Sequence, residues 1–276
     1  MRADQLLVHR GLASTRAQAQ RLIGSGVRWL RLSSPTSAEA VWQSVAKNGD
    51  IIPDEAEIEL LNDAEARYVS RGGLKLEGAL LQLGLSVQDA ICLDVGQSTG
   101  GFTDCLLQQG AAHVVGVDVG FGQLHDKIRT DSRVLCLEHT NAREPGLIAT
   151  NIIATKAINT PDEGQFDAED QVTFDLIVGD LSFISQTLVL PAIAPLLKPQ
   201  GQMLMLVKPQ FELNFGQVGK GGIVKDEALY AQVEKRVRDA YQAQGLTVLA
   251  WMNSPIEGGD GNREFFIHAC KNKKLG

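Results

Sequence analysis

ICLDVGQSTGGFTD, residues 91–104, is the stretch on which the fold turns. Ile91–Val95 is a short apolar run of the kind that forms a buried strand, and a helix is expected after the glycines. A glycine-rich turn at the carboxyl end of a strand lets backbone pass close to a ligand and aims helix N–H groups at it. The glycines here are Gly96, Gly100 and Gly101. The next apolar run ends at Asp118, about 20 residues on, where a carboxylate accepts hydrogen bonds from both hydroxyls of a ribose.

Outward from this stretch, β-rich apolar runs alternate with helical segments: HVVGVDVG, RVLCLEH, FDLIVGD, GQMLMLVKP, LTVLAWM and REFFIHAC. With Ile91–Val95 they predict a seven-stranded, mostly parallel α/β sheet of Rossmann-like architecture. The last two runs lie too close together for a crossover helix, so an antiparallel pair at one edge is expected. Residues 159–172, polar and acidic, read as an exposed loop. Before the sheet comes a small α+β unit. Residues 3–10 and 14–24 read as two helices around Gly11, the second capped by Ser14 or Thr15. Val27–Leu32 and Glu57–Leu61 read as strands, with a turn at Asn48–Asp50. The expected boundaries are residues 1–62, a linker at 63–67, and a second domain at 68–276.

The chain carries a net charge of -7, yet through residue 31 its basic residues are Arg2, Arg10, Arg16, Arg21, Arg28 and Arg31 against one acid, Asp4. A basic end on an acidic chain is the footprint of a polyanion-binding patch, or else a solvated helix face. No apolar run is long enough for a membrane span, and the N-terminus has no signal-like core. Four well-separated cysteines read as free thiols of a reduced, cytoplasmic compartment, without zinc-ligand spacing or any other metal pattern.

Four ionisable residues stand out by position: Lys75 in the helix before the first strand, Asp180 and Lys208 ending the fourth and fifth strands, and Glu264 opening the last. Strand carboxyl ends form the ligand crevice of such a sheet, and an antiparallel last strand brings its start to the same edge. Singly, each reads as an ordinary charge. Lys208 is harder to dismiss, because it follows an apolar run and precedes Pro209. Arg71, with Gly72 and Gly73, is a phosphate contact or a hinge. His113, His125 and His139 show no triad or metal spacing, and Trp29, Trp42 and Trp251 read as packing residues. Lys220–Gly222 has the glycine content of a lid.

Residues 91–104 with Asp118 resemble the donor-binding motif of class I S-adenosylmethionine methyltransferases. A nicotinamide fold shares strand, loop and acid, but the glycine spacing is not G-x-G-x-x-G, which favours the methyl donor. The order Lys–Asp–Lys–Glu, with SRGGLKL, DVGQSTGGFTD, VDVG, TNAR, DLSFIS, LVKPQFE, VGKGGIVKD and SPIEGGDGNREF, resembles the TlyA family and, more distantly, the FtsJ ribose methyltransferases. RADQLLVHRGLASTRAQAQRLIGSGVR resembles the small RNA-binding domain first seen in ribosomal protein S-four, although the usual short strand–turn–strand hairpin after it is replaced by a longer segment.

The resemblance implies 2′-O-methylation of cytidine ribose in ribosomal RNA, with S-adenosylmethionine as cofactor, ribosomal RNA or subunits as partner, and no membrane. It implies Lys75, Asp180, Lys208 and Glu264 as the catalytic set. It implies a donor site made by Asp94, Gly96, Ser98, Thr99, Gly100, Gly101, Phe102, Thr103, Asp118, Val119, Thr140, Asn141, Ala142 and Asp180. Arg2, Arg10, Arg16, Arg21 and Arg71 are the expected RNA contacts. Gln97 departs from the small residue usual there. Competing readings are a nicotinamide oxidoreductase, a catalytically silent ribosome-assembly factor, and a membrane-active hemolysin, which the family's old label suggests.

Overall fold

The computed structural model describes residues 1–30, 42–62, 66–159, 172–258 and 261–272. Part of the first expected strand, most of the expected linker and nearly all of the expected loop at 159–172 lie outside the described residues. The chain divides into two compact units, Met1–Leu74 and Lys75–Gly276.

In the first unit, α1 (Ala3–His9) and α2 (Arg16–Gly26) pack on a three-stranded antiparallel sheet of β1 (Val27–Leu30), β2 (Gln43–Ser44) and β3 (Glu57–Leu60), with β1 central. Thr15, not Ser14, caps α2, its hydroxyl accepting from Gln18 N at 3.2 Å. Leu6, Leu7, Ala19, Leu22, Ile23 and Ile52 form the core. The unit runs past the boundary expected at Arg67. Tyr68 is buried, its carbonyl accepts from Gln18 Nε2 at 3.1 Å, and its ring sits so close to Gly73 that no Cβ would fit there.

In the second unit, the sheet runs β6-β5-β4-β7-β8-β10-β9. The strands are β4 (Ile91–Val95), β5 (His113–Val117), β6 (Val134–Leu137), β7 (Phe174–Gly179), β8 (Leu197–Val207), β9 (Leu246–Asn253) and β10 (Phe265–Lys271). β4 to β8 are parallel, and β10 is antiparallel to both β8 and β9, as the short connection before it requires. The helices are α3 (Gly72–Leu83), α4 (Gly101–Gln108), α5 (Asp126–Arg129), α6 (Leu147–Asn159), α7 (Leu190–Ile193), α8 (Pro209–Glu212) and α9 (Ala228–Ala243). α3 crosses the division between the units.

Alternation along each strand sends side chains to both faces, and both faces are buried. One face packs Leu93, Val95, Ile177, Met203 and Met205 with Val233, Val237 and Tyr241, four residues apart on α9. On the strand order, connections leave β4 towards β5 on one side while β7 lies on the other. That reversal opens a crevice at the carboxyl ends of β4 and β7.

Candidate active site

The site is built where β4 ends. Gly96 has φ +86°, and a Cβ there would come within 3.0 Å of the Asp180 carbonyl. Gly100, at φ +93°, turns the chain into α4. Between them Ser98 N donates to Asp118 Oδ2 at 2.8 Å, and Gly120 N to Asp118 Oδ1 at 2.7 Å. Two amides thus hold the carboxylate at the end of β5 as an acceptor.

The adjoining cavity, of about 360 Å³, is lined by Gly96, Ser98, Asp118, Val119, Thr140, Asn141, Ala142 and Asp180 from the expected donor site, and also by Gln123, Arg143 and Leu181–Ile184. The other expected donor residues do not line it. Thr99 gives its carbonyl to His125 N, while Gly100, Gly101 and Phe102 form the turn and the start of α4, with Phe102 stacked on Phe266 at 6.2 Å.

Asp94 and Thr103 lie buried beneath the loop. Thr103 Oγ1 donates to Asp94 Oδ2 at 2.7 Å and accepts from Gln97 Nε2 at 2.9 Å. Asp94 Oδ1 is buried with no hydrogen-bond partner among the described residues. Burial pushes the Asp94 carboxyl up to about 7, against the pull of the Thr103 hydroxyl, with Asp180 adding repulsion. An unpaired buried carboxylate oxygen beside a glycine cradle, with a second carboxylate held by amides, fits a ligand with an ammonium group and a ribose. Gln97, which departs from the usual small residue, points away from the cavity and fills the space above Gly116.

The four expected catalytic residues form two ion pairs. Lys208 Nζ lies 2.6 Å from Asp180 Oδ1 and donates to Ser182 Oγ at 2.8 Å. Lys75 Nζ lies 2.5 Å from Glu264 Oε2, both side chains buried. Val207 faces Phe265 across the antiparallel pair, so Lys208 and Glu264 leave the sheet at the same end. Gly179 pairs with Val95, which sets Asp180 beside the Gly96 loop.

Sequence reading missed Ser182, Phe183 and Glu212. Phe183 is 91% exposed, holds φ +64° and leans on Phe211 with ring centroids 5.2 Å apart. A phenylalanine three residues beyond the polar strand end Asp180, in DLSF, is the signal that could have found it. Lys220–Gly222 is tied down by buried Asn262, which donates to Gly222 O and accepts from Val224 N. His139 stacks on Phe121, His125 caps α5, and Trp251 stacks on Phe265.

Several expected RNA contacts are engaged inside the first unit. Arg2 and Arg16 both bind buried Asp4, whose carboxyl they hold far below the usual range, the Arg2 hydrogen bond first. Arg10 donates to the carbonyls of Ala56 and Asp54. Arg71 Nε is buried without a hydrogen-bond partner among the described residues.

The model of the FtsJ-like methyltransferase family matches residues 68–271. The 16S/23S rRNA (cytidine-2′-O)-methyltransferase TlyA of Mycobacterium tuberculosis is 41% identical over 96% of this chain and 88% of its own length. Hemolysin A of Brachyspira hyodysenteriae is 35% identical over 97% and 99%. A solved hemolysin-named structure from Streptococcus thermophilus aligns with a TM-score of 0.67 at 37% identity, covering 100% of this chain and 91% of that one. On the family match and on relatives aligned over nearly its whole length, this chain belongs to the FtsJ-like methyltransferase family.

Proposed function

We propose that this enzyme methylates ribose 2′-hydroxyls, of cytidine, in ribosomal RNA, with S-adenosylmethionine as donor. The observation that carries this reading is Lys208, held by Asp180 and Ser182 where Asp180 and Ser182 also line the donor-sized cavity. The donor supplies an electrophilic sulfonium methyl group. Asp118 would accept from its ribose hydroxyls, Asp94 would take its ammonium group, and Thr140, Asn141 and Ala142 would flank its adenine. The loop Gly96–Thr103 shapes that pocket, with Phe102 and Thr103 supporting it from below.

Ribose methylation asks the protein for alignment and for removal of one proton. Lys208 either takes the proton of the attacking 2′-hydroxyl or, as a fixed cation, steers it. Asp180 and Ser182 fix the ammonium at its atom, and the Lys75–Glu264 pair supplies a second cation at the same end of the sheet. Arg2, Arg10, Arg16, Arg21 and Arg71 are read as contributing RNA affinity. A ribosomal substrate, as RNA or as assembled subunits, sets the enzyme in the cytoplasm.

A silent assembly factor has no need of a lysine held by two partners beside a ligand cavity. The hemolysin reading gains nothing from the fold: among the described residues no helix is long and apolar enough to cross a membrane.

The test is Lys208→Ala and Lys208→Arg, with ribosomes lacking the modification as substrate and 2′-O-methyl positions mapped in the RNA. Lys208→Ala is expected to lose at least about 10²-fold in single-turnover rate with donor binding little changed. Arginine keeps the charge but cannot shed its proton at accessible pH. It is therefore inactive if Lys208 is a base and partly active if Lys208 steers. Wild-type rates in Lys208→Ala would move the chemistry elsewhere.

A further inference from the structure

Glu212 ends LVKPQFE, four residues after Lys208, and none of the chemistry above uses it. It closes α8, the short helix capped by Lys208, and is only 3% exposed. A buried carboxylate needs partners, and its two oxygens find them on one segment. Ser185 Oγ donates to Oε2 at 2.5 Å, and Gln186 N donates to Oε1 at 2.9 Å. Those donors lie on the segment that leaves β7, which carries Asp180, Ser182 and Phe183.

Two stretches of chain, residues 180–186 and 208–212, are therefore joined by three rungs: Lys208 to Asp180 and Ser182, Phe211 to Phe183, and Glu212 to Ser185 and Gln186. α9 backs the last rung. Arg236 donates to the Glu212 carbonyl at 2.5 Å, and Tyr241 OH to Gln186 Oε1 at 2.8 Å. Phe183 holds a left-handed backbone, a state that persists only when its surroundings over-determine it. Glu212 supplies that constraint two residues further on, at Ser185.

We propose that Glu212 is a positioning residue of the methyl transfer: its carboxylate clamps the Asp180–Gln186 segment to the Lys208 segment and so fixes both partners of the Lys208 ammonium. The proposal rests on the reading of Lys208 given above. A carboxylate suits the task because it accepts two hydrogen bonds at a fixed separation. Alanine there would leave the Gln186 amide unpaired and the Ser185 hydroxyl with only its neighbour Thr187, and the segment would be free to shift.

The experiment compares Glu212→Ala, Glu212→Gln, Ser185→Ala and a control, Val114→Ala, which opens a buried site at the other end of β5. Single-turnover methyl transfer is measured at saturating S-adenosylmethionine on ribosomes lacking the modification, alongside hydrogen exchange of the peptide covering residues 181–186 and melting temperature. Displacement of a reacting group by about 1 Å costs up to roughly 10²-fold. Glu212→Ala is expected to lose about 10- to 100-fold in rate and to raise exchange in that peptide selectively. Glu212→Gln, whose amide keeps an acceptor for Gln186 N and a donor for Ser185 Oγ, is expected to stay within about threefold of wild type. Ser185→Ala, which removes one of the two contacts, is expected to fall between them, and it decides the matter if Glu212→Ala does not fold.

The proposal is overturned if Glu212→Ala, folded, transfers at the wild-type rate. It is also overturned if Glu212→Ala loses no more than Val114→Ala at equal melting temperature, or if exchange in residues 181–186 is unchanged. A wild-type protein that transfers no methyl group would overturn the ribosomal reading instead, and exchange would then decide the clamp alone.

Discussion

Asp94 is the buried side chain proposed above to take the donor's ammonium group. Its Oδ2 is taken by Thr103, its Oδ1 has no partner among the described residues, and burial pushes its carboxyl up to about 7. The folded value lies above the unfolded one. The donor-free protein therefore binds an extra proton between about pH 4 and 7 and loses stability as pH rises through that window. Binding a cationic ammonium group requires that proton to leave. Affinity for S-adenosylmethionine is therefore expected to rise with pH, by up to about tenfold per unit below 7, and to flatten above it. It should fall again where an α-amino group deprotonates, near about 8. Asp94→Asn should bind more weakly and lose the low-pH limb. Calorimetry from pH 5.5 to 8.5 checks this, and a flat wild-type profile below pH 7 would remove Asp94 from the ammonium site.

At the scale of strands and loops, Gln97 and Gly116 act as a pair. A Cβ on Gly116, in β5, would come 1.9 Å from the Gln97 side chain, which is buried and bonded to Thr103. Gly116→Ala is expected to cost about 1–3 kcal/mol, the range for overpacking a close-packed interior, and to weaken donor binding by displacing the Gln97–Thr103–Asp94 chain. Gln97→Ser should restore most of both losses in the double variant. Urea unfolding and donor titration of the four proteins in the cycle measure this, and additive losses would mean the two positions do not share the space. The pairing also shows what was legible in the sequence. Near-continuous apolar runs marked the seven strands, because burial on both faces leaves that pattern in the residues themselves, and the short gap before the last run marked the antiparallel edge. The positions of the strand-end acids and lysines were legible for a different reason: the carboxyl ends of the strands are where such a sheet opens its ligand crevice. Gln97 stood out as a departure, but its compensating glycine lies on another strand, at a contact that no local pattern announces. Ser182 and Glu212 were invisible for a related reason, since each acts through a loop whose path only the folded chain fixes.

Across the whole molecule, charge is distributed unevenly, and we propose two uses for the arginines of the first unit. Arg2 and Arg16 hold Asp4, which is fully buried, yet their own side chains stay 42% and 55% exposed. A guanidinium bound to one carboxylate keeps donors for another anion, so pairing with Asp4 leaves these residues able to meet a phosphate as well. The two uses separate in salt. Each phosphate contact releases condensed counterions and adds roughly 0.7–0.9 to the slope of log K against log salt. A purely structural arginine adds nothing to that slope and shows itself only in stability. Arg71→Gln, Arg21→Gln and Arg16→Gln should each flatten the slope for ribosomal RNA by about that amount in the full-length protein. Arg16→Gln should in addition lower the melting temperature, because it leaves the buried Asp4 charge with one arginine instead of two. Donor affinity should be unchanged in all three, since the cavity is lined from the second unit alone. Filter binding from 50 to 300 mM salt and thermal melts of the same preparations resolve the outcomes. A variant that melts lower but keeps the wild-type slope assigns its arginine to the fold, and wild-type slopes in all three would remove the basic end of the chain from the RNA interface.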